Sequence, residues 1–253
     1  KTRLPDEALT LAEILQSAGY ATAAFAGGGQ MDRIFGLDQG FDIYDQPGQE
    51  HFLGTVRRGV EWLDQTPQRP FFLFLHSYEV HHPYTPTSEH LARVESDYQG
   101  DLPGEISIDF LRQVNRKEVE IDEADLAHII STYDAEIRSM DDGFSFLVAA
   151  LQERGLYDET LRVFNTDHGE EFGEHGVVGW HSHTLFDELL SVPLIVRFPN
   201  AARAGAVVEQ QTRGIDIAPT VLTAVGLPVP EVFEGIDLSQ LTNGSIGEER
   251  IAI

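Results

Sequence analysis

The sequence predicts a single α/β domain with a central, mostly parallel sheet and helices on both faces. Runs with strand character alternate with runs at helical spacing along the whole chain, which is the pattern of parallel-sheet proteins. The run at 71–75 is apolar throughout, as expected of a central strand covered on both faces. Clusters of His, Asp and Glu follow the runs at 71–75 and 161–165 directly. Such clusters are typical of the carboxyl ends of parallel strands, where ligands bind.

The first predicted elements are a capped helix and a strand. Thr10 and Glu13 have the spacing of a capping box, and apolar residues at helical spacing then predict a helix over 11–18. A strand over 20–26 follows. The three glycines at 27–29 predict a plain turn, because no Lys-Ser or Lys-Thr follows them as a phosphate-binding loop would require.

The middle of the chain predicts a second helix that ends before Pro67, followed by the strand over 71–75. Residues 88–119 are acidic and interrupted by Gly and Pro, so we expect an irregular excursion that contributes a rim to a substrate site. A long helix from Asp122 carries one apolar stripe and is expected to pack on the core and to end at Gly155.

The last third of the chain predicts two more core strands, over 161–165 and 193–198, with a turn of helix over 185–190 between them. A further strand is expected over 207–212. Asp216 is expected to cap a final helix, because Asp is a preferred residue at helix N-termini.

Composition and charge narrow the classes of function. The 253 residues include 17 Lys and Arg against 42 Asp and Glu, a net charge of −25, which argues against binding to nucleic acid or to an anionic membrane. The chain has no Cys, so it can hold neither a disulfide nor a Cys nucleophile. No apolar run is long enough to span a bilayer. No signal peptide is seen at Lys1, although a chain that does not open with Met can lack its beginning.

The stretch after the strand at 161–165 is the first candidate site. Asp167 and His168 offer a carboxylate and an imidazole from one tight turn, a pair that suits Ca²⁺, Mn²⁺ or Zn²⁺. More carboxylates and a second imidazole follow, at Glu170, Glu171, Glu174 and His175. Like charges this close are costly unless a cation or solvent relieves them. The spacing alone fits a metal site and a solvated acidic loop equally well.

The second candidate site follows the strand at 71–75. Three imidazoles, those of His76, His81 and His82, lie in this stretch together with Glu79. A single His there would be an ordinary surface or core residue, whereas three at one strand end favour a functional role. Two further imidazoles, at His181 and His183, follow Trp180.

Longer runs of the sequence resemble the sulfatase family of the alkaline-phosphatase superfamily, and the likeness covers nearly the whole chain. The runs that carry it are TLAEILQSAGYATAAF, GLDQGFDIYDQ, HSYEVHHPYTP, YDAEIRSMDDGFSFLVAALQERGLYDETLRVFNTDHGEEFGEHG, HTLFDELLSVPLIVRFP and DIAPTVLTAVGLPVP. The order of TDHGEEFGEHG followed by LFDELLSVPLIVRFP is the most specific of these features.

The resemblance implies an alkaline-phosphatase-like fold and a hydrolase of small-molecule or carbohydrate sulfate monoesters. It also implies one divalent cation, usually Ca²⁺, and the donor atoms of Asp167 and His168 leave Mn²⁺ and Zn²⁺ as alternatives. Asp167 and His168 stand where the family has its late pair of metal ligands. His81, in EVHHPY, matches the substrate-contacting His of the segment DPH-x-PY. His181 matches a His that touches the sulfate oxygens, and His183 is the alternative. The resemblance thus assigns sulfate contact or leaving-group protonation to His81 and His181.

Two family features are missing from the sequence: the early Asp-Asp metal pair, and the nucleophile motif Cys or Ser-x-Pro-Ser-Arg whose first residue becomes formylglycine. We therefore expect residues 1–253 to be a sulfatase catalytic domain truncated at both ends, with the later half of the active site and no activity alone. A phosphoesterase or phosphonate hydrolase of the same superfamily, or an inactive metal-binding domain, are the alternatives. The resemblance also implies a periplasmic or extracellular location. It leaves the particular ester and the oligomeric state open.

Overall fold

The computed structural model describes residues 3–46, 48, 50–65, 70–94 and 97–243. Its helices are α1 (Leu11–Ser17), α2 (Phe52–Gln65), α3 (Ser88–Val94), α4 (Ile108–Asn115), α5 (Glu123–Glu153), α6 (Asp187–Leu190) and α7 (Ile217–Ala224). Its strands are β1 (Ala21–Phe25), β2 (Ile43–Asp45), β3 (Phe71–Leu75), β4 (Arg162–Asn165), β5 (Glu171–Phe172), β6 (Val178–Trp180) and β7 (Leu194–Arg197). The chain divides into two compact units, a first unit of residues 1–151 and 170–180 and a second unit of residues 152–169 and 181–253.

The first unit is built on a parallel sheet with the strand order β2–β1–β3. Its register pairs Ala23 of β1 with Ile43 of β2 and with Leu73 of β3. The predicted second helix is confirmed as α2, which makes the crossover that the parallel strands β2 and β3 require. Pro67, the residue expected to stop it, lies outside the described residues. The strand at 71–75 has the predicted limits.

The buried central position in this sheet belongs to β1. All five residues of β1 are buried, whereas those of β3 are half-buried. Among the described residues, β3 pairs along one edge only. The prediction that 71–75 is a central strand covered on both faces is therefore wrong: in the described sheet β3 is an edge strand, and its residues are half-buried. β1 has the sequence Ala-Thr-Ala-Ala-Phe. Alanine has a low strand propensity, so this sequence predicts a strand only weakly, but its small side chains allow neighbouring elements to pack closely.

Two local predictions in the first unit can be checked atom by atom. Thr10 Oγ1 accepts the Glu13 N–H at 3.1 Å, and Glu13 Oε2 accepts the Thr10 N–H at 2.8 Å, which confirms the capping box of α1. The glycine turn after β1 packs against the ring of Tyr78. A Cβ on Gly27 or Gly29 would come within 2.9 or 2.8 Å of that ring or its hydroxyl, so close packing requires both glycines.

The stretch 88–119, predicted to be irregular, contains the helices α3 and α4. Ser107 caps α4 by accepting the Phe110 N–H at 3.1 Å. Leu111 of α4 is fully buried in a cluster that includes Tyr84 and Ile129. The two helices have 7 and 8 residues, too few for a helical period to be recognised. The long helix is confirmed as α5, which Asp122 caps through the N–H groups that follow it. No helix in the described ranges is both long and apolar enough to cross a membrane.

The second unit contains strands at both predicted places, β4 and β7, each within a residue of its expected limits, but none of their residues is fully buried, so the expectation that they are core strands is wrong. β4 and β7 pair antiparallel, with Val163 opposite Val196. The helical turn is confirmed as α6 and the last helix as α7. The strand expected over 207–212 is wrong, because the structure has no strand among these described residues. Val207 is 85% exposed, so this segment has no buried face that would favour a strand.

Asp216 does not cap α7 in the predicted way. Its carboxylate is fully buried and accepts the N–H groups of Arg213 at 2.8 Å and Ile236 at 3.0 Å. The side chain therefore points away from the first turn of α7 and joins two segments that are separate in sequence. The bond to Arg213 caps the short 3-10 turn Gly214–Asp216 that precedes α7, so the carboxylate serves the start of this turn and Ile236 instead of the first N–H groups of α7.

Candidate functional site

His81 lies in the first unit, in the segment that follows β3. Its ring is half-buried and meets the ring of Tyr78 edge-on, with the ring centres 5.6 Å apart. Nδ1 of His81 lies 2.6 Å from the carbonyl oxygen of His82. Because a carbonyl oxygen can only accept, Nδ1 carries the proton in the neutral ring, and Nε2 is the nitrogen that can exchange a proton.

His82 is held in place by Glu170 and Trp180. One oxygen of Glu170 is 3.2 Å from Nδ1 of His82, and the other accepts the hydroxyl of Tyr84. The His82 ring stacks on Trp180 with the ring centres 4.6 Å apart. Glu170 is buried, so it does not belong to a solvated acidic loop. Ligand atoms of His81, His82 and Glu170 lie within 4.8 Å of one another, as a metal would need, but these hydrogen bonds already account for that closeness.

Two further buried glutamates hold the segment that carries His81. Glu79 accepts the Phe52 N–H at the start of α2, at 2.7 Å, and its other oxygen is 2.8 Å from Nδ1 of His51. Glu136 of α5 accepts the N–H of Thr85 at 2.7 Å and that of Val80 at 3.3 Å. Burial, with a smaller contribution from the charge of Glu79, raises the pKa of Glu136 to about 8, although the Thr85 N–H opposes this shift.

Asp167 and His168 lie in the second unit, directly after β4. Nδ1 of His168 is 3.0 Å from the carbonyl oxygen of Gly169, so Nδ1 is the donor and Nε2 keeps its lone pair. Nε2 lies 3.9 Å from Oδ2 of Asp167, and the Asp167 side chain is 86% exposed. A small closing movement would bring both atoms to one cation, because neighbouring ligands of one ion lie roughly 3 Å apart.

The remaining candidates divide by burial. The ring of His181 stacks on His168 in the second unit, with the ring centres 4.1 Å apart, whereas His183 is exposed. In the acidic stretch, Glu171 is fully buried in β5 and Glu174 accepts the N–H of Phe172. The family resemblance assigns His81, Asp167 and His181 to one active site; because these residues belong to different units, this assignment stays a prediction.

Sequence reasoning missed Glu136, Tyr84 and the role of Glu170. Tyr84 lies inside the recognised segment but was not assigned a role. Glu136 falls on the apolar stripe of α5, between Ile129 and Met140. A carboxylate on the buried face of a helix was the signal that could have found it, because such a group needs internal donors.

The fold of the chain matches solved structures of other proteins. The structure of BT4656, in complex with its substrate D-glucosamine-2-N,6-O-disulfate, superposes with a TM-score of 0.76 over 98% of this chain and 68% of that chain, at 19% identity. The phosphonate monoester hydrolase SpPMH from Silicibacter pomeroyi gives a TM-score of 0.72 over 98% of this chain and 64% of that chain, also at 19% identity. These matches confirm the alkaline-phosphatase-like α/β fold.

The sequence places the chain within this fold more narrowly. The family model described as Sulfatase matches residues 2–227, and the chain belongs to this family. The multifunctional alkaline phosphatase superfamily protein PehA of Trinickia caryophylli is 27% identical over 207 residues, which are 72% of this chain and 39% of that protein. The N-acetylglucosamine-6-O-sulfatase of Bacteroides thetaiotaomicron is 28% identical over 151 residues, 60% of this chain and 24% of that protein. The chain thus spans well under half of these curated relatives.

Proposed function

We propose that the protein hydrolyses sulfate monoesters of small molecules or carbohydrates with the help of one divalent cation, and that this chain carries the later half of the active site. The observation that carries the proposal is the Asp167 and His168 pair, whose Oδ2 and Nε2 atoms lie 3.9 Å apart directly after a strand of a sulfatase-family chain. Membership of the family supports sulfate ester hydrolysis at the level of the reaction class.

Asp167 and His168 fit a divalent cation by the chemistry of their donor atoms. The Asp167 carboxylate is exposed, and the Nδ1 hydrogen bond of His168 leaves Nε2 as a ligand atom. We propose Ca²⁺ as the natural ion, with Mn²⁺ and Zn²⁺ as alternatives. A bound cation would neutralise the negative charge that develops on the nonbridging sulfate oxygens. Two ligands are far fewer than the six to eight that Ca²⁺ takes, so we expect weak binding by the 253-residue chain.

His81 is proposed as the general acid for the leaving group. Its Nε2 is the ring nitrogen that exchanges a proton, because Nδ1 is engaged with the His82 carbonyl. When the S–O bond breaks, the bridging oxygen gains negative charge, and a proton delivered from Nε2 allows the alcohol to leave as a neutral molecule.

His181 is proposed to hold sulfate through its ring nitrogens. Its stacking on His168 places it beside the candidate metal ligand, which supports His181 over the exposed His183. In its protonated form it would donate a charge-assisted hydrogen bond to a nonbridging oxygen.

A phosphoryl or phosphonate substrate is the second candidate. It is favoured by the fold match to a phosphonate monoester hydrolase and by the sequence match to PehA. The two candidates are separated by the turnover of 4-nitrophenyl sulfate, 4-nitrophenyl phosphate and 4-nitrophenyl phenylphosphonate. Protein expressed from its complete coding sequence should give the highest kcat/KM on the sulfate ester. A preference for either phosphorus ester would overturn the sulfatase assignment.

The assignment of Asp167 as a metal ligand is tested by calorimetric titration of Ca²⁺ into protein expressed from its complete coding sequence. Replacement of Asp167 by Asn should weaken binding by about 10-fold or more, because an anionic ligand becomes neutral. Asp187→Asn is the matched control, since Asp187 is an exposed carboxylate of α6 in the same unit, and it should bind Ca²⁺ like the wild type. Equal affinity in the Asp167→Asn variant would exclude Asp167 as a ligand.

A further inference from the structure

The segment that carries His81 contains a strained residue next to the catalytic candidate. Val80 has φ of +90°. This left-handed region is strongly disfavoured for a β-branched residue, which persists there only when its surroundings hold it. Val80 directly precedes His81, so the backbone turn at Val80 determines where the imidazole points.

A backbone hydrogen bond from the His81 N–H to the Tyr78 carbonyl oxygen, at 2.9 Å, closes this turn, and Glu136 adds a side-chain contact to Val80 itself. Its Oε2 accepts the Val80 N–H at 3.3 Å and its Oε1 accepts the Thr85 N–H at 2.7 Å. One carboxyl group therefore binds the segment on both sides of His81. Glu136 is 3% exposed, so water cannot take over either hydrogen bond. It also sits on α5, a helix of 31 residues that gives the carboxylate a rigid base.

The other anchors of the segment contact different residues. Glu79 fastens the start of the segment to the first residue of α2 through the Phe52 N–H. It does not reach Val80 or the residues after His81 among the hydrogen bonds of the described chain. After His81, Glu170 accepts the His82 N–H at 3.4 Å, and Tyr84 pairs with Ile106 through two backbone hydrogen bonds. Glu136 differs from these anchors because it binds Val80 itself and also reaches past His81 to Thr85.

We infer that Glu136 is a positioning residue: by binding the Val80 and Thr85 N–H groups it holds the strained turn that directs Nε2 of His81 toward the substrate. This inference rests on the proposed function, in which His81 protonates the leaving group. Glu136 acts only through His81 and the backbone. Proton transfer depends steeply on distance and alignment, so loosening the turn should slow the chemical step.

The first test needs no substrate. Hydrogen exchange is measured by mass spectrometry for the wild type, for Glu136→Gln and for Asp141→Asn, which makes the same chemical change at an exposed position of α5. In Glu136→Gln only one side-chain atom can still accept a backbone N–H. We expect exchange in peptides covering 79–86 to accelerate about tenfold or more in this variant alone. Unchanged exchange there, or acceleration spread over the whole chain, would overturn the inference.

The second test connects the turn to catalysis in protein from the complete coding sequence. Glu136→Gln should lower kcat on phenyl sulfate about tenfold or more while KM changes little, and Glu136→Asp, which keeps both acceptor oxygens, should recover part of the loss. The loss should be smaller on 4-nitrophenyl sulfate, whose leaving group needs less protonation. Equal losses on both esters would show that Glu136 does not act through His81. If the wild type hydrolyses neither ester, the proposed function fails, and the exchange experiment still decides the positioning role.

A third test places Glu136→Gln in a Val80→Gly background, so that the inference can still be tested if Glu136→Gln alone does not fold. Glycine adopts positive φ without strain, so Val80→Gly removes the need for the Glu136 contact. Glu136→Gln should therefore change exchange in 79–86 less in the Val80→Gly background than in the wild type. The same change in both backgrounds would mean that Glu136 does not support the Val80 turn, and would overturn the inference.

Discussion

The residues around His81 show how buried carboxylates organise a reactive side chain. Glu79, Glu136 and Glu170 are all buried, and each accepts hydrogen bonds from the segment that carries His81 or from α2. Charges at such depth are costly unless donors surround them. The cost is visible at Glu136, whose pKa burial raises to about 8.

The raised pKa of Glu136 makes stability depend on pH. The folded pKa of about 8 exceeds the ordinary glutamate pKa of 4.5, so the folded protein binds the proton more tightly than the unfolded chain. This contribution is complete below the unfolded pKa and is lost as pH rises through the folded one. From pH 6 to 9 we expect the free energy of unfolding of the wild type to fall by about 2 kcal/mol more than that of Glu136→Gln.

Urea unfolding at pH 6, 7.5 and 9 measures this difference. Tyr133 and Glu79 are the other titratable groups coupled to Glu136, and both are unchanged in the variant. Asp141→Asn should keep the pH dependence of the wild type. A Glu136→Gln variant with that same dependence would show that Glu136 is ionised across this range.

The sequence suggested candidate metal ligands, whose role stays a prediction, but it did not reveal the group that holds the His81 segment. Asp167 and His168 could be found because both are ligand-type residues placed directly after a recognisable strand. Glu136 could not be assigned a role, because its partners are backbone N–H groups 51 and 56 residues away. A backbone donor has no sequence signature, so only the fold reveals which side chain it meets.

Elements with local signals were predicted more accurately than those defined by distant contacts. The capping box of α1 depends on residues three apart and was confirmed. The antiparallel pairing of β4 with β7 depends on contacts between residues far apart in sequence. The hairpin of β5 and β6 has strands of only two and three residues. Neither follows from periodicity, which records only which face of a segment is apolar.

Gly169 joins the candidate metal turn to α6 and gives a prediction at the scale of elements. A Cβ at this position would lie 2.0 Å from the carbonyl oxygen of Glu188, and the Gly169 N–H donates to Leu189 at 3.0 Å. Gly169→Ala must therefore push α6 away, and we expect a loss of about 1–3 kcal/mol in the free energy of unfolding. It should also weaken Ca²⁺ binding, because Gly169 directly follows His168.

Gly214→Ala is the matched control for this substitution. Gly214 lies in the same unit and has no heavy atom within 4 Å of its ideal Cβ position. Its replacement should change the free energy of unfolding by no more than about 0.5 kcal/mol in urea titrations. Equal stability of the two alanine variants would mean that α6 can shift at no cost.

At the scale of the whole molecule, membership of the sulfatase family indicates the class of reaction but not the particular substrate. The chain belongs to the sulfatase family, and its fold also matches a phosphonate monoester hydrolase. One fold can serve several esters, so specificity has to be argued from the site. The net charge of −25 repels anionic esters at long range, so the proposed function needs a local cation or imidazoles to attract them.

The most direct test of the account is the effect of His81→Gln on two sulfate esters that differ only in their leaving group. In protein from the complete coding sequence, with Ca²⁺ present, general acid catalysis predicts a drop in kcat of about 10²-fold or more on phenyl sulfate. The drop on 4-nitrophenyl sulfate should be much smaller, because 4-nitrophenolate leaves readily without a proton. An equal drop on both esters, or no drop on either, would contradict the assignment of His81 as the general acid of a sulfate ester hydrolase.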